Sequence, residues 1–374
     1  MDTVSVDEIS ELERSVYLTI GHSFALEDGD EKIAVLEEAV RLADTGTDVG
    51  LQYFARKEFL NAAYWGGAPE KAMVAYAWCL GQYDMEPGRF SERDLLWTYK
   101  WMINTIVHFP QISKEQIFEM LEDMTRRYRE AGYGLRVVYQ YRYRIERFWG
   151  NRERAIDYYH YAQGLAGDDL SNCPACELDE HVSFHNYCGD DALAVKTAQP
   201  LLEGRYKCRT VPQRTIARLL LPLLRLGRRE EAWSYHLQGY RAVSRNKSFL
   251  NYVSDHLIYL TVTGKLERAA ALLEEHYPWV EGNSDAYNRF LFYRAAWFFL
   301  HVMTASQTPR LSLCLPETFP LYAKSGDYES SRLAEWFHEE ARQVAHKFNE
   351  RNGNDHFTEE LEGVLALKNL MGPV

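Results

Sequence analysis

The sequence predicts an all-α protein, a solenoid of about eight helical hairpins, and three observations carry that prediction. A glycine followed five residues later by an alanine recurs as Gly29/Ala34, Gly67/Ala72, Gly150/Ala155, Gly189/Ala194, Gly227/Ala232 and Gly264/Ala269. Successive glycines lie 38, 83, 39, 38 and 37 residues apart, and the 83 reads as two periods whose middle member, near Pro110 in "HFPQISKEQ", has lost its glycine. Between these marks the apolar residues keep the helical period, as Val138, Tyr141, Ile145 and Phe148 do in steps of three, four and three.

Each part of the unit has a physical reason. Glycine takes the left-handed bend that ends a first helix without a Cβ clash. Five residues on, a small side chain lets the second helix lie close against the first. A lone hairpin of this kind cannot bury its apolar face, so neighbours must stack. The pattern predicts repeats over residues 1–350, with a further copy at Gly326 and Ser331 in the alanine place. After the helix "DAYNRFLFYRAAWFFLHVM", a proline-containing insert at about 306–327 interrupts them; its Leu311, Leu313, Leu315 and Phe319 are expected to pack back onto the solenoid. The helical run "YESSRLAEWFHEEARQVAHKFNE" follows, and residues 351–374 read as a capping helix with Thr358 and Glu359 near its start.

In this arrangement of glycine and alanine the chain resembles the tetratricopeptide repeats, whose usual unit is about 34 residues. The family's larger aromatic place, four residues after the alanine, holds Tyr76 and Tyr159, but Ala198, His236 and Leu273 in other copies. The resemblance covers roughly residues 5–350. It implies a right-handed superhelix with a concave groove that binds a protein or peptide, and it puts Gln140, Arg144 and Arg147 on that groove. Lys57 and Asn61 match by spacing the first half of the family's carboxylate clamp, whereas Val137 and Tyr141 break the second half.

Composition narrows the function classes. With 374 residues, 46% hydrophobic, and neither a positive leader nor a long apolar run, the chain reads as a soluble cytoplasmic protein. Its net charge of -12 is uneven: residues 1–50 hold thirteen acidic residues against Arg14, Lys32 and Arg41, while Thr125 to Arg154 hold nine arginines against three glutamates, interleaved with aromatics. A second basic run comprises Arg205, Lys207, Arg209, Arg214 and Arg218. These arginines suit three roles: pairing with the acidic N-terminal fifty residues, holding an acidic protein partner, or binding nucleic acid, to which an acidic chain is a poor match.

Among chemistry-bearing residues, "NCPAC" with Cys208 stands out. In a helical hairpin Cys173 and Cys176 open one helix and Cys208 follows its partner, so three thiols meet at one end; Cys188, a helix length of about 22 Å away, cannot join them. Three thiols make most of a zinc site, with Gln213 where a histidine would complete it. The bland alternative is semi-buried thiols or a Cys173 to Cys208 redox contact. His181 and His185, at i and i+4, could bind a metal in principle but read as packing or solvated residues, and His236 reads as a semi-buried core residue. No phosphate loop, HExxH or nucleophile elbow is present, so no enzyme is predicted. The expected function is a protein-binding scaffold; the alternative is a small-ligand or metal-responsive sensor of the same fold.

Overall fold

The computed structural model describes residues 10–306 and 310–371; parts of the predicted repeat array, insert and cap (1–9, 307–309 and 372–374) lie outside it. It contains seventeen α-helices: α1 (Glu11–Ser23), α2 (Asp30–Ala43), α3 (Val49–Trp65), α4 (Pro69–Met85), α5 (Glu92–Ile106), α6 (Lys114–Glu130), α7 (Arg136–Phe148), α8 (Arg152–Gln163) and α9 (Pro174–Cys188). They continue as α10 (Asp191–Leu202), α11 (Gln213–Arg225), α12 (Arg229–Val243), α13 (Leu250–Val262), α14 (Leu266–His276), α15 (Ala286–Ala305), α16 (Ser330–Asn352) and α17 (His356–Gly363). The helices pack in adjacent pairs from α1 on α2 to α15 on α16, and odd-numbered helices also touch one another, as α9, α11, α13 and α15 do. This is the packing of a helical-repeat array. No helix among the described residues is long and apolar enough to cross a membrane.

The repeated bends follow the spelling. Gly67, Gly150, Gly189, Gly227 and Gly264 all have φ between 70° and 82°, and Ala72, Ala155, Ala194, Ala232 and Ala269 are completely buried. At Gly227 the chain closes the helix end with bonds from Arg228 N to Leu223 O and from Gly227 N to Leu224 O; Lys265 and Gly264 repeat the arrangement on Leu260 and Thr261. Where the glycine is missing, α5 gives way to a turn through Pro110, and Ser113 restarts the chain as α6 with a reciprocal cap to Gln116.

Two copies differ from expectation. Gly29 is extended (φ 164°) and Ala34 is exposed; Ile33, one position earlier, takes the buried place. Gly326 is not a hairpin bend. It precedes β2 (Asp327–Glu329), which pairs antiparallel with β1 (Arg310–Ser312), a ribbon the sequence reading did not foresee. The apolar residues of the insert do pack back: Leu311, Leu313, Leu315 and Phe319 are all buried, and Phe319 lies against Tyr277 and Trp336. At the C-terminal end α16 continues to Asn352, and the cap is α17 followed by a 3-10 turn over Val364–Leu370.

Among the described residues two large apolar cores, one built from residues between Val16 and Leu170 and the other from residues between Val182 and Val364, have Phe148 packed against both, and two small clusters lie around Tyr143 and Ala175. Contacts far apart in sequence join the halves. Arg209 pairs with Asp28, Lys247 with Asp30, and Asn246 donates to Trp65 O at 3.0 Å. His108 Nδ1 meets Asp285 Oδ2 at 2.8 Å, Arg351 donates to Val107 O at 2.7 Å, and Asn354 donates to Trp149 O at 2.6 Å. The array therefore curls until its later helices rest on its earlier turns. At Gly150 the approach is so close that an added Cβ would lie 2.6 Å from the His356 ring.

Candidate functional site: an inner arginine surface and a cysteine trio

The arginines of α7 find their partners one repeat further on. Arg144 donates from Nε to Glu180 Oε2 at 2.9 Å and from Nη1 to Asn104 Oδ1 at 3.2 Å, and lies over the Tyr141 ring. Arg147 donates to Ser183 Oγ at 2.7 Å and to the Tyr143 hydroxyl at 3.3 Å. Gln140 is almost wholly buried, donating to Glu177 Oε1 at 2.8 Å and accepting from Asn172. On α11, Arg214 and Arg218 each lie 2.6 Å from Asp179 Oδ2, and Thr215 donates to Asp179 Oδ1 at 2.5 Å. The carboxylates that face these arginines therefore come from α9, not from the acidic N-terminal residues. The N-terminal acids take other cations: Asp28 takes Arg209, Asp30 takes Lys247 and Asp44 takes Arg56.

These side chains share one interior. Burial raises the Tyr64 hydroxyl pKa, and the charges it feels belong to Tyr141 and Arg144 on α7, Arg214 on α11 and Tyr252 on α13. Arg218 reaches the Tyr252 hydroxyl at 3.4 Å. Asp179 and Glu180 resist burial, which would raise them; their arginines hold both carboxyls below the ordinary range. Asp255 on α13 has no such contact among the described residues, and burial pushes its carboxyl up to about 6 against the opposing pull of Arg294 and Arg218. The surface is not sealed, since the Arg144 and Arg218 side chains keep 25% and 29% of their exposure.

Counting charge decides what this surface can hold. Glu180 matches Arg144, one Asp179 serves both Arg214 and Arg218, and Arg147 has two hydroxyls and the Ser183 carbonyl but, among the described residues, no carboxylate. Two positive charges are left over, reduced to one when Asp255 ionises above pH about 6. Lys57 lies apart from this cluster, paired with Asp94 at 2.6 Å, and Asn61 donates to the carbonyl of Lys57. Lys100, which sequence reasoning passed over, is buried; it donates to Leu170 O at 2.8 Å and stands over the Trp97 ring, and burial lowers its amine to about 7.

The cysteine trio converges as expected. Cys173 precedes α9, Cys176 sits in its first turn, and Cys208 belongs to a turn held by Cys208 N to Val211 O at 3.1 Å. All three sulfurs lie within 4.8 Å of one another. Burial opposes ionisation of Cys173, but the amides of Cys176 and Ala175 and the Cys208 thiol outweigh it and hold this thiol below its usual pKa. Burial pushes Cys176 up, with Arg214 opposing. Tetrahedral Zn–S bonds of about 2.3 Å need sulfurs about 3.8 Å apart, so the trio needs little adjustment to ligate. No fourth His, Cys, Asp or Glu among the described residues joins it. Cys188 ends α9, exposed and outside the group.

Four of the histidines are held by packing partners. His181 Nδ1 meets the Tyr159 hydroxyl at 2.6 Å. His236 is buried as expected, and its Nδ1 lies 3.0 Å from that of His256, while His276 Nε2 lies 2.9 Å from the Tyr240 hydroxyl. The sequence reading missed His256, hidden in the strongly apolar α13, and His276, at the end of the amphipathic α14. It also missed Asp179 and Glu180, for which a signal existed: 36 residues separate Arg144 from Glu180 and Thr215 from Asp179, close to one repeat. Comparison with protein-family models and with curated proteins finds no match to this chain.

Proposed function

We propose that the chain is a tetratricopeptide-like, right-handed array of about eight hairpins. In this reading it is a binding scaffold, not an enzyme, and takes an acidic segment of a protein partner on its inner arginine and tyrosine surface. The observation that carries the reading is the charge excess there: Arg147 has no carboxylate, and Arg214 and Arg218 share one. A partner carboxylate would satisfy guanidinium groups already partly desolvated, and charge-assisted bonds of this kind are the stronger ones. The flanking Tyr64 and Tyr252 offer apolar faces with polar tips. Nucleic acid fits less well, because Asp179, Glu180 and Asp255 share the surface and the whole chain carries -12. Six free thiols suit the reducing cytoplasm.

The test is fluorescence anisotropy with a labelled Asp/Glu-rich peptide and its Asn/Gln counterpart. The reading expects the acidic peptide alone to bind, more tightly as pH falls through 6 and Asp255 loses its charge, and more weakly in Arg147→Gln. Equal binding of both peptides, or of neither, would reject it.

A second reading rests on the cysteine trio: a bound zinc ion that staples α9 to the turn before α11, with the fourth position left to water. Elemental analysis of protein purified without added metal tests it. One zinc per chain, lost in Cys208→Ser, supports the reading; a metal-free protein removes it.

A further inference from the structure

The structure holds a second cationic feature that shares no residue with the inner arginine surface. A cavity of about 590 Å³ opens between the start of α6, the start of α15 and the last turns of α16. That volume falls within the range of small-molecule sites. Four cations line it, Lys114, Arg289, Lys347 and Arg351, against Glu115 and Glu350. Glu350 already faces His346 at 3.3 Å.

Most arginines of this protein lie within 4 Å of a carboxylate; among the described residues, none of these four cations does. Lys114 donates to the carbonyl of Asn352 at 3.2 Å and stands over the Trp149 ring. Arg351 spends Nη1 on the carbonyls of Val107 and Phe109 and Nε on Asn352, stacks on Phe148 and Phe348, and leaves Nη2 without a partner. Burial with nothing to offset it lowers the Arg351 guanidinium to about 10. Arg289 leaves Nε buried and unpartnered. A chain of net charge -12 has thus gathered four unpaired cations around one concavity, where mutual repulsion and desolvation both cost stability. An anion in the cavity would remove both costs.

We propose that this cavity binds a small molecule through a phosphate or diphosphate group. The lining suits that chemistry better than a lone carboxylate does. It carries an excess of two positive charges and guanidinium forks that match phosphoryl oxygens. Val344, Ala286 and Pro110 leave an apolar wall for the rest of the molecule. Because α6 belongs to the earlier core and α15 and α16 to the later one, the ligand would tie the two halves together at their seam.

The experiment is isothermal titration of the full chain at physiological ionic strength with pyrophosphate, inorganic phosphate and citrate. Thermal melting with the same additions accompanies it. The expected result is one pyrophosphate per chain with a Kd below about 1 mM and a raised melting temperature. Lys347→Ala removes an exposed side chain and keeps the fold; it and Arg289→Gln should each weaken binding at least about tenfold, while Arg147→Gln leaves it unchanged. Absence of pyrophosphate binding, or binding unchanged in both Lys347→Ala and Arg289→Gln, overturns the site. Citrate binding as tightly as pyrophosphate overturns the phosphoryl assignment. Arg147→Gln as control keeps this outcome separate from that of the peptide reading.

Discussion

Acidification should destabilise this protein well above the pH at which ordinary carboxylates titrate, through the histidines buried between α12, α13 and α14. Burial lowers His236 and His276 from 6.5 to about 4, with Lys265 and Arg268 adding to the effect at His236 and Glu275 opposing it at His276. Burial, with His236 and His276 adding to it, holds His256 well below its ordinary value. The folded pKa values lie below the unfolded one, so the unfolded chain binds protons first. This contribution is complete above about pH 6.5 and is lost as pH falls toward 4. Between pH 7 and 5, His236 and His276 each cost about 2 kcal/mol, and His256 adds in the same direction. Asp255 opposes them: its raised carboxyl takes up a proton in the folded state near pH 6, returning about 1 kcal/mol. The net loss over this interval is therefore about 3 kcal/mol before His256 is counted. Urea unfolding at pH 7, 6 and 5, followed by circular dichroism, reads it directly. His236→Phe should remove roughly 2 kcal/mol of the dependence. A stability that is flat between pH 7 and 5 would refute the assignment of these rings as buried and neutral.

Further predictions follow from packing and pairing. Charge reversal at Arg144 sets a second carboxylate against Glu180, which is only 7% exposed, so Arg144→Glu should cost about 3–5 kcal/mol in chemical denaturation; Arg147→Gln, with no carboxylate partner to strand, should fold normally. Ala232→Leu overfills a closed hairpin and should cost about 1–3 kcal/mol, whereas Ala34→Leu, on an exposed position, should change stability by less than about 0.5 kcal/mol. At Gly189 an added Cβ meets nothing within 4 Å, so Gly189→Ala should show backbone strain alone, about 1 kcal/mol by thermal melting.

Most of the helical architecture was legible because each bend is written locally. A left-handed glycine and a completely buried alanine five residues later recur at Gly150, Gly189, Gly227 and Gly264, and neither needs distant information. The first copy failed because burial in α2 falls on Ile33, Leu36, Ala39 and Ala43, one residue out of phase with the glycine spelling. Gly326 copied the spelling by coincidence within a ribbon whose three-residue strands are too short to show alternation. The thiol convergence was readable because it depends only on hairpin geometry. The pairing of α7 with α9 could have been read from the repeat phase, since polar residues one period apart on adjoining first helices must face each other. The contacts that curl the array, such as His108 with Asp285, were not legible. Curvature accumulates over many small inter-repeat rotations that no single stretch records.

The central claim is that the inner arginine surface, not the outer helices, receives the partner. Photocrosslinking tests this most directly, with a benzophenone side chain placed at Tyr252 inside or at Leu237 on the exposed face of α12. With the labelled acidic peptide, the account predicts a crosslink from position 252 that is lost in Arg147→Gln, and none from position 237. A crosslink from position 237, or one from 252 that is indifferent to Arg147, would contradict it.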